Sequence, residues 1–367
     1  CRSVMWARVG IAAAARERRG SAMLSPGSPR LSSRPTGTPH HAEHSERCAV
    51  SRIGLIINTQ SGPEGAGATA ARLARAAEAH CIPVARTRCP GEIDDALRSF
   101  ARAGVTVLAV HGGDGTVDAV LTRLRTRGTF AAEPVLALIP GGTTNMTHAD
   151  LGLRHAPVRA LDHIAAACLD GLPEARVHRR RPVRVARSDA AEPFYGFFVA
   201  GAAIPRVIRR VRERLHSRGF TGRAGSAIAL AWSIMRLLRG NVARDPVLHP
   251  DAVGYAVDDG PWHETQAVVF LATTLERLIL GLRPAPPQGR LGVGALTFPY
   301  ARLAWRLPGF LRGRGAGELG ADIGRAAVET LHLRLASAYT VDGDAFDPPA
   351  DGAVTLTAAP PARFLVL

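Results

Sequence analysis

Residues 105–116, with the sequence VTVLAVHGGDGT, constrain the fold most, because an apolar strand runs directly into a glycine turn. The run at 105–110 is almost continuously apolar, which is typical of a parallel strand buried on both faces. Gly112 and Gly113 allow the backbone to approach a ligand closely. Apolar residues at helical spacing follow Asp114, so a helix is predicted to begin there. Amide groups and the helix dipole at such a junction attract anions. An acid in the turn favours a cation there, with Mg²⁺ on a nucleotide the best candidate.

The composition limits the kind of phosphate site and of partner. The 367 residues leave room for two domains, and all 46 basic residues are arginines, which excludes a lysine-dependent Walker-type loop. A net charge of +15 favours an anionic partner: a membrane surface, nucleic acid or a phosphorylated ligand. The basic runs at 179–181 and 312–314 lack interleaved aromatic residues, which disfavours nucleic acid. The five cysteines do not have the spacing of a zinc site.

Strands and helices alternate in the first part of the chain. Strands are predicted at 52–58, 82–88, 105–110 and 135–139, with helices at 68–80, at 92–103 and after Asp114. This alternation predicts right-handed βαβ units and a parallel sheet. Glycine-containing turns follow three of the strands, at 58–67, 112–116 and 140–152. Ligands of such sheets bind beyond the carboxyl ends of the strands, so the three turns are predicted to meet at one site.

The predicted fold class is α/β with a second, β-rich domain. Residues 1–48 are expected to be a disordered tail or the product of a translation start placed too far upstream. Residues 50–172 are predicted to form a Rossmann-like nucleotide domain with a parallel sheet. Residues 173–367 show regular strands with Gly and Pro punctuation, which predicts a largely antiparallel, β-sandwich-like domain. The predicted strands lie at 176–187, 192–202, 251–257, 265–274, 292–298, 331–335, 339–341, 352–357 and 364–367. The last strand is a candidate to return to the first domain. Helical insertions are predicted at 204–216 followed by 224–238, and around 300–311.

Four motifs, in order, resemble those of the diacylglycerol kinase catalytic family, which is related to sphingosine kinases and more distantly to NAD kinases. Residues 112–116 (GGDGT) match its central motif. Residues 58–62 (NTQSG) resemble its N-P-x-S-G, with Thr59 in place of Pro. Residues 140–145 (PGGTTN) resemble P-x-G-T-x-N, and residues 341–344 (VDGD) resemble a late D-G-E motif.

The resemblance implies a kinase that transfers the γ-phosphoryl group of ATP to a lipid hydroxyl with Mg²⁺. Phosphoryl transfer needs phosphate ligands, charge neutralisation and a proton acceptor. Asp114 is the expected Mg²⁺ ligand, and Asp344, or else Asp342, is the candidate general base from the second domain. The candidate nucleotide-binding residues are Asn58, Ser61, Gly62, Gly112, Gly113, Gly115, Thr116, Gly141, Gly142, Thr143 and Asn145.

Departures from the family pattern keep alternatives open. Met146 stands where the family usually has Asp, Asp118-Ala119 stand where it has N-E, and residues 287–289 lack the usual acids. The chain is therefore also a candidate for a catalytically degenerate nucleotide-binding regulator, or for an enzyme with NAD kinase-like activity. The motifs also have ordinary structural readings: a βα turn at Ser61, a tight turn capped by Asp114, helix capping at 140–145, and an Asp-Gly hairpin turn at Asp342.

A basic amphipathic helix is predicted at 204–216. Its apolar stripe either packs on the core or lies on an anionic membrane with its arginines. The apolar run at 227–238 is too short to span a bilayer. The expected location is the cytoplasm, either free or peripheral at the inner membrane face. The oligomeric state stays open, a homodimer included.

Overall fold

The structure is a computed structural model. It describes residues 52–61, 66–142, 145–153, 155–169, 171–172, 174–215, 232–233, 235–236, 244–278, 283, 289–298, 309, 312, 319 and 323–367. The expected tail at 1–48 lies outside these residues, as does nearly all of the insertions predicted at 224–238 and 300–311.

The first sheet has six strands in the order β2-β1-β3-β4-β17-β5. Neighbouring strands are parallel except for β17 and β5, which are antiparallel. Its strands are β1 (Ile53–Asn58), β2 (Val84–Thr87), β3 (Val107–Gly112), β4 (Val135–Pro140), β5 (Val177–Arg180) and β17 (Ala362–Leu365). The chain therefore returns to this sheet with its last strand.

Helices cover both faces of this sheet. They are α1 (Ala66–Ala79), α2 (Pro90–Arg102), α3 (Asp114–Arg127), α4 (Met146–Asp150) and α5 (Pro157–Leu169). Helices α2 and α3 pack on one face, and α1 and α5 pack on the other. Successive side chains of a strand point to opposite faces of the sheet, and each face has its own apolar core. Consecutive residues along β1, β3 and β4 are therefore buried. This explains why these strands have nearly continuous apolar sequences.

The second sheet has eleven strands, in the order β15-β14-β8-β10-β9-β13-β16-β6-β7, with β11 beside β10 and β12 beside β11. All of its pairings are antiparallel. The first six strands in the chain are β6 (Val183–Arg187), β7 (Phe194–Gly196), β8 (Phe198–Ala202), β9 (Asp251–Val257), β10 (His263–Thr273) and β11 (Leu291–Thr297). The remainder are β12 (Ile323–Val328), β13 (Thr330–Leu335), β14 (Tyr339–Val341), β15 (Asp344–Phe346) and β16 (Ala353–Ala358).

One apolar core spans the junction of the two sheets. Val117, Val120 and Leu121 of α3 belong to the same cluster as Phe197 and Phe198 of the second sheet. In addition, the Tyr195 N–H of β7 donates a hydrogen bond to Thr122 Oγ1 of α3 at 3.0 Å. Helix α3, which follows the central glycine turn, is therefore fixed against strands of the second sheet.

The predicted fold class is confirmed: a parallel α/β sheet is joined to a large antiparallel sheet. The segment predicted as one strand at 176–187 is different in the structure, because it divides at Arg181-Pro182 into β5 of the first sheet and β6 of the second. Pro182 has no N–H for a ladder, and Arg181 donates to the carbonyls of Ala358 and Ala359 instead. Strand β12 was not among the predicted strands.

The predicted amphipathic helix forms as α6 (Ala203–Leu215), directly after β8. Among the described residues, no helix combines the length and the apolar character needed to cross a bilayer.

Candidate functional site

Asn58, at the end of β1, is hydrogen-bonded to the first turn of α3. Its Nδ2 donates to Thr116 Oγ1 at 2.8 Å, and its Oδ1 accepts from the Gln60 N–H at 2.9 Å. The hydroxyl oxygens of Ser61 and Thr116 lie 3.1 Å apart. Asn58 and Thr116 are both buried. The turn after β1 and the turn after β3 therefore share one hydrogen-bond network.

The backbones of the second and third turns touch each other. The Gly141 N–H donates to the Gly112 carbonyl at 2.9 Å. A Cβ added to Gly142 would lie 2.5 Å from the Gly113 Cα, and one added to Gly112 would lie 2.4 Å from Thr116 Oγ1. These distances are far below van der Waals contact. Glycine is required at Gly142 because a side chain there would force the two turns apart, and at Gly112 because a side chain there would displace Thr116.

Asp114, the first residue of α3, is buried and binds the start of α4. Its Oδ2 accepts from the Met146 N–H at 2.9 Å, and its Oδ1 accepts from the Thr147 N–H at 3.1 Å. A carboxylate at a helix N-terminus satisfies amides that have no intrahelical acceptor and is favoured by the helix dipole. Asp114 therefore caps α4 and joins the second turn to the third. Its predicted role in metal binding stays a prediction.

Asn145 holds the third turn in shape. Its backbone is left-handed, with φ of 49°. Its Oδ1 accepts from the Gly142 N–H at 3.0 Å, and its Nδ2 donates to the Gly142 carbonyl at 2.7 Å. Both polar atoms of the Asn145 side chain are therefore hydrogen-bonded within the loop that approaches Gly113. Gly62 and Thr143, also predicted to bind the nucleotide, lie outside the described residues.

Two buried histidines lie beside the third turn. A Cβ added to Gly141 would lie 2.9 Å from His111 Nε2. Burial, with a smaller effect of His148, lowers the pKa of His111 to about 4. Burial also lowers the pKa of His148, although Asp114 acts in the opposite direction. Both rings are therefore neutral at pH 7 and add no positive charge beside the loops.

The late motif forms the tip of a hairpin from the second sheet. Val341 pairs with Asp344, so Asp342 and Gly343 are the two turn residues, with φ of 47° and 94°. Positive φ at both positions is the geometry that Asp-Gly favours in tight hairpins. The hairpin-turn alternative is therefore correct for Asp342. The tip is fixed because the Phe197 N–H donates to Asp342 Oδ2 at 2.6 Å and the Asp342 N–H donates to the Phe198 carbonyl at 2.8 Å.

The hairpin brings Asp344 to the central glycine turn. A Cβ added to Gly115 would lie 2.7 Å from Asp344 Oδ2. Gly115 is the second residue of α3, so this carboxylate of the second domain faces the helix end that the sequence predicts to bind phosphate. The two candidate general bases consequently differ: Asp342 is buried in the turn, whereas Asp344 is partly exposed.

Four aspartates converge here: Asp114, Asp118, Asp342 and Asp344. Burial raises the pKa of Asp342 to about 7, and Asp114 adds to the rise. Burial raises the pKa of Asp118 well above its usual value, and the charges and hydrogen bonding of Asp342, followed by Asp114 and Asp344, raise it further. A site that concentrates carboxyl groups in this way needs protons or a cation to bind a polyphosphate.

Comparison with known proteins agrees with this geometry. Residues 52–172 match the family model for the diacylglycerol kinase catalytic domain. The match is limited to the first domain and covers less than half of the chain. None of the curated proteins matches the chain.

Solved structures show the same fold along most of the chain. A diacylglycerol kinase from Bacillus anthracis str. Sterne has a TM-score of 0.55 at 16% identity, over 86% of this chain and 96% of that one. A second protein of that organism is described as a diacylglycerol kinase by proposal only. Its structure has a TM-score of 0.58 at 15% identity, over 86% of this chain and 96% of that one. Yeast NADH kinase with NADH has a TM-score of 0.45 at 9% identity, over 86% of this chain and 83% of that one.

The start of α3 presents backbone at two positions. Gly113 caps α3 without a side-chain hydrogen bond, and Gly115 adds no side chain to the first turn. Among the described residues, no three His, Cys, Asp or Glu side chains are arranged to hold a metal ion by themselves.

Asp118 lies at the centre of the acid cluster, but it was not among the functional residues predicted from the sequence. A signal was present, since residues four apart share one face of a helix and Asp118 follows Asp114 by four. The position was noted only as a departure from the family pattern. Its contact with Asp342 depends on the second domain and could not be read from α3 alone.

Proposed function

We propose that this protein is an ATP-dependent lipid kinase, which transfers the γ-phosphoryl group of ATP to the hydroxyl of diacylglycerol or a related lipid alcohol. The observation that carries the proposal is the approach of Asp344 to Gly115. An acid from the second domain is held at the glycine turn of a kinase-family domain, with 2.7 Å between its Oδ2 and the Cβ position of Gly115. That arrangement suits a proton acceptor beside a phosphate site.

The nucleotide would bind at the three joined turns. Amides of Gly113 and Gly115 and the Thr116 hydroxyl would contact phosphate oxygens, since helix N-termini bind anions. Asn58 and Ser61 would position the Thr116 hydroxyl through the hydrogen bonds that they make to it. Gly112, Gly141, Gly142 and Asn145 would shape the neighbouring edge, and Gly62 and Thr143 complete the proposed set.

Magnesium, when bound with ATP, would offset the negative charge of the phosphates and of the acid cluster. Asp114 fits as one ligand, because a carboxylate has about four lone-pair directions and amides occupy two of those of Asp114. Independently of the ion, Asp114 keeps the second and third turns together.

Asp344 would accept the proton of the attacking lipid hydroxyl on its carboxylate. Asp is shorter than the family's Glu by one methylene, and the tight turn at Asp342-Gly343 compensates by bringing the strand end against α3. Asp342 would support this function from the turn, because its carboxylate is occupied by the Phe197 amide.

The acceptor would be reached at an anionic membrane surface on the cytoplasmic side. Helix α6 directly follows β8 and carries exposed Arg209. Arg206 has a different role, because it is bound to Asp251 at 2.7 Å and to two backbone carbonyls. The net charge of +15 would strengthen attraction to such a surface.

A second candidate function is a nucleotide-binding regulator without turnover. The acid cluster favours it, because carboxyl groups that are not neutralised would weaken the binding and transfer of a triphosphate. The two candidates differ in one result. The regulator binds ATP without phosphorylating any lipid, whereas the kinase forms a phospholipid product.

The experiment is a transfer assay with labelled ATP, Mg²⁺ and vesicles that contain single lipid alcohols. Asp344→Asn should lower kcat by about 10²–10⁴-fold, the usual contribution of a general base, while Asp344→Glu should retain much of it. Asp347→Asn is the matched control, because Asp347 is an exposed aspartate just beyond β15. Tight ATP binding without product in the wild type would support the regulator, and formation of NADP from NAD would support a NAD kinase-like activity.

A further inference from the structure

We infer that Asp118 is a positioning residue of the proposed kinase site: as a neutral acid it donates a hydrogen bond to Asp342 and so locks the hairpin that carries Asp344 against α3. This inference rests on the proposed function for its catalytic consequence. Its structural part concerns only the two carboxyl groups and the hairpin.

The two carboxyl groups both lie near Gly196, the last residue of β7. A Cβ added to Gly196 would lie 2.6 Å from Asp342 Oδ2 and 3.6 Å from Asp118 Oδ2. Oxygens of both carboxyl groups therefore lie beside the position that a Gly196 Cβ would occupy, and Asp342 raises the pKa of Asp118. They come from different domains, since Asp118 is on α3 and Asp342 is in the turn between β14 and β15.

Two ionised carboxylates would repel each other strongly at this buried position. Asp118 Oδ1 and Asp342 Oδ1 are both buried, and no donor reaches either among the described residues. A proton held by one of the two acids supplies the missing donor and removes the repulsion between two like charges. The acid pair is then a hydrogen bond across the domain junction.

The surroundings decide which acid carries the proton. Asp342 Oδ2 already accepts the Phe197 N–H at 2.6 Å, which stabilises the carboxylate form of Asp342. Asp118 has no comparable amide donor among the described contacts, and it faces Asp114, Asp342 and Asp344. Asp118 is therefore the neutral donor, and Asp342 is the charged acceptor.

This pair bears directly on the site. Asp342 and Asp344 are separated only by Gly343, so a fixed Asp342 also fixes where β15 begins. Where the family usually has Asn after the central motif, an amide would donate the same hydrogen bond. Asp118 can replace it only as a protonated acid.

The test compares Asp118→Asn with Asp118→Ala in the full-length protein. Asn keeps a donor, so the Phe197 and Asp342 amides should retain wild-type hydrogen-exchange protection, and most of kcat should remain. Ala removes the donor and leaves Asp342 buried without it. Exchange of both amides should then accelerate, and kcat should fall by about 100-fold with the KM for ATP nearly unchanged.

Thr122→Val is the matched control, because it removes another bond between α3 and β7, to the Tyr195 N–H, without touching the acid pair. It should leave the Phe197 and Asp342 amides and kcat unchanged. If Asp118→Ala does not fold, Asp342→Asn takes its place, since Asn can accept from Phe197 and donate to Asp118 and should preserve the protection.

The inference is overturned if Asp118→Asn loses protection and kcat, if Asp342→Asn loses protection, or if Asp118→Ala keeps both. The proposed function fails separately: if the wild type phosphorylates no lipid but Asp118→Ala still loses amide protection, the interdomain lock stands and the kinase assignment does not.

Discussion

Asp344 Oδ2 lies 2.7 Å from the position that a Cβ of Gly115 would occupy, so an acid of the second domain fills the space left by a missing side chain in the first. Gly115 is not among the residues with positive φ, and it lies inside α3. Glycine is therefore needed here for space rather than for backbone conformation. The last glycine of the GGDGT motif is explained by a contact from the other end of the chain.

Gly115→Ala should impair catalysis with little effect on stability. The new methyl group would displace the Asp344 carboxylate, and a misplacement of about 1 Å can cost about 100-fold in kcat. The backbone gains from the change, because Ala is favoured over Gly in a helix by about 1 kcal/mol. Transfer assays and urea unfolding of the same preparation would measure both effects.

Gly91→Ala is the control for this variant. Gly91 lies in α2 near its start, and a Cβ there would meet nothing within 4 Å. This variant should keep full activity and gain about 0.4–1 kcal/mol in stability. Full activity in Gly115→Ala would mean that the position of Asp344 does not matter for turnover.

Thr116→Val should weaken both stability and nucleotide binding. It removes the oxygen that accepts the Asn58 Nδ2 hydrogen at 2.8 Å and leaves a buried donor unsatisfied, which costs about 1–3 kcal/mol. Thr116→Ser keeps the hydroxyl and loses one methyl group, worth about 0.8 kcal/mol. Denaturant unfolding would measure the loss of stability in each variant, and the KM for ATP would measure the loss of nucleotide binding. A loss of stability in Thr116→Val no larger than that in Thr116→Ser would show that the hydrogen bond contributes no more than the methyl group.

The location of the site could be predicted from the sequence because parallel strands with right-handed crossovers present their carboxyl ends at one edge. Asn58, Gly112 and Gly141 follow or end three strands, and in the structure these turns are hydrogen-bonded to each other. Strands that are apolar on both faces gave a clear signal, and their predicted positions were close to those of the structure.

What the sequence could not show depends on distant partners. Alternating residues at 176–187 look like one strand, but pairing with β17 on one side of Pro182 and with β16 on the other divides the segment between two sheets. Likewise, the role of Asp118 could not be predicted from α3 alone, because it depends on contact with the hairpin tip. Asp114 was predicted from its motif, but its amide partners at Met146 and Thr147 depend on where β4 ends.

Asp114→Ala should destabilise the first domain. It leaves the buried Met146 and Thr147 amides without their acceptor, at about 1–3 kcal/mol for each unsatisfied donor. Asp114→Asn keeps one acceptor oxygen and should lose less. Urea unfolding would measure the loss, and ATP titration with and without Mg²⁺ would measure the effect on binding.

Asp258→Ala is the corresponding control in the second domain. Asp258 Oδ1 accepts from the Glu329 N–H at 2.9 Å and from the Thr330 N–H at 2.8 Å, so it also holds two amides. Its removal should destabilise the protein and leave ATP affinity unchanged. If Asp114→Ala also leaves ATP affinity unchanged, the third turn is not part of the nucleotide site.

His111 should make the folded state sensitive to acid. Its pKa is lowered from 6.5 to about 4, so between these values the unfolded chain binds a proton that the folded chain does not. The contribution of His111 to the free energy of unfolding is therefore complete above pH 6.5 and decreases as the pH falls, by up to about 1.4 kcal/mol per pH unit.

The acid pair works in the opposite direction, because the raised pKa values of Asp118 and Asp342 add stability as the pH falls, in the case of Asp342 through about 7. The wild-type profile alone mixes these effects. The difference in unfolding free energy between wild type and His111→Gln isolates the histidine: it should be constant above pH 7 and decline towards pH 4. A constant difference for His111→Gln would mean that the ring binds protons equally in the folded and unfolded chain.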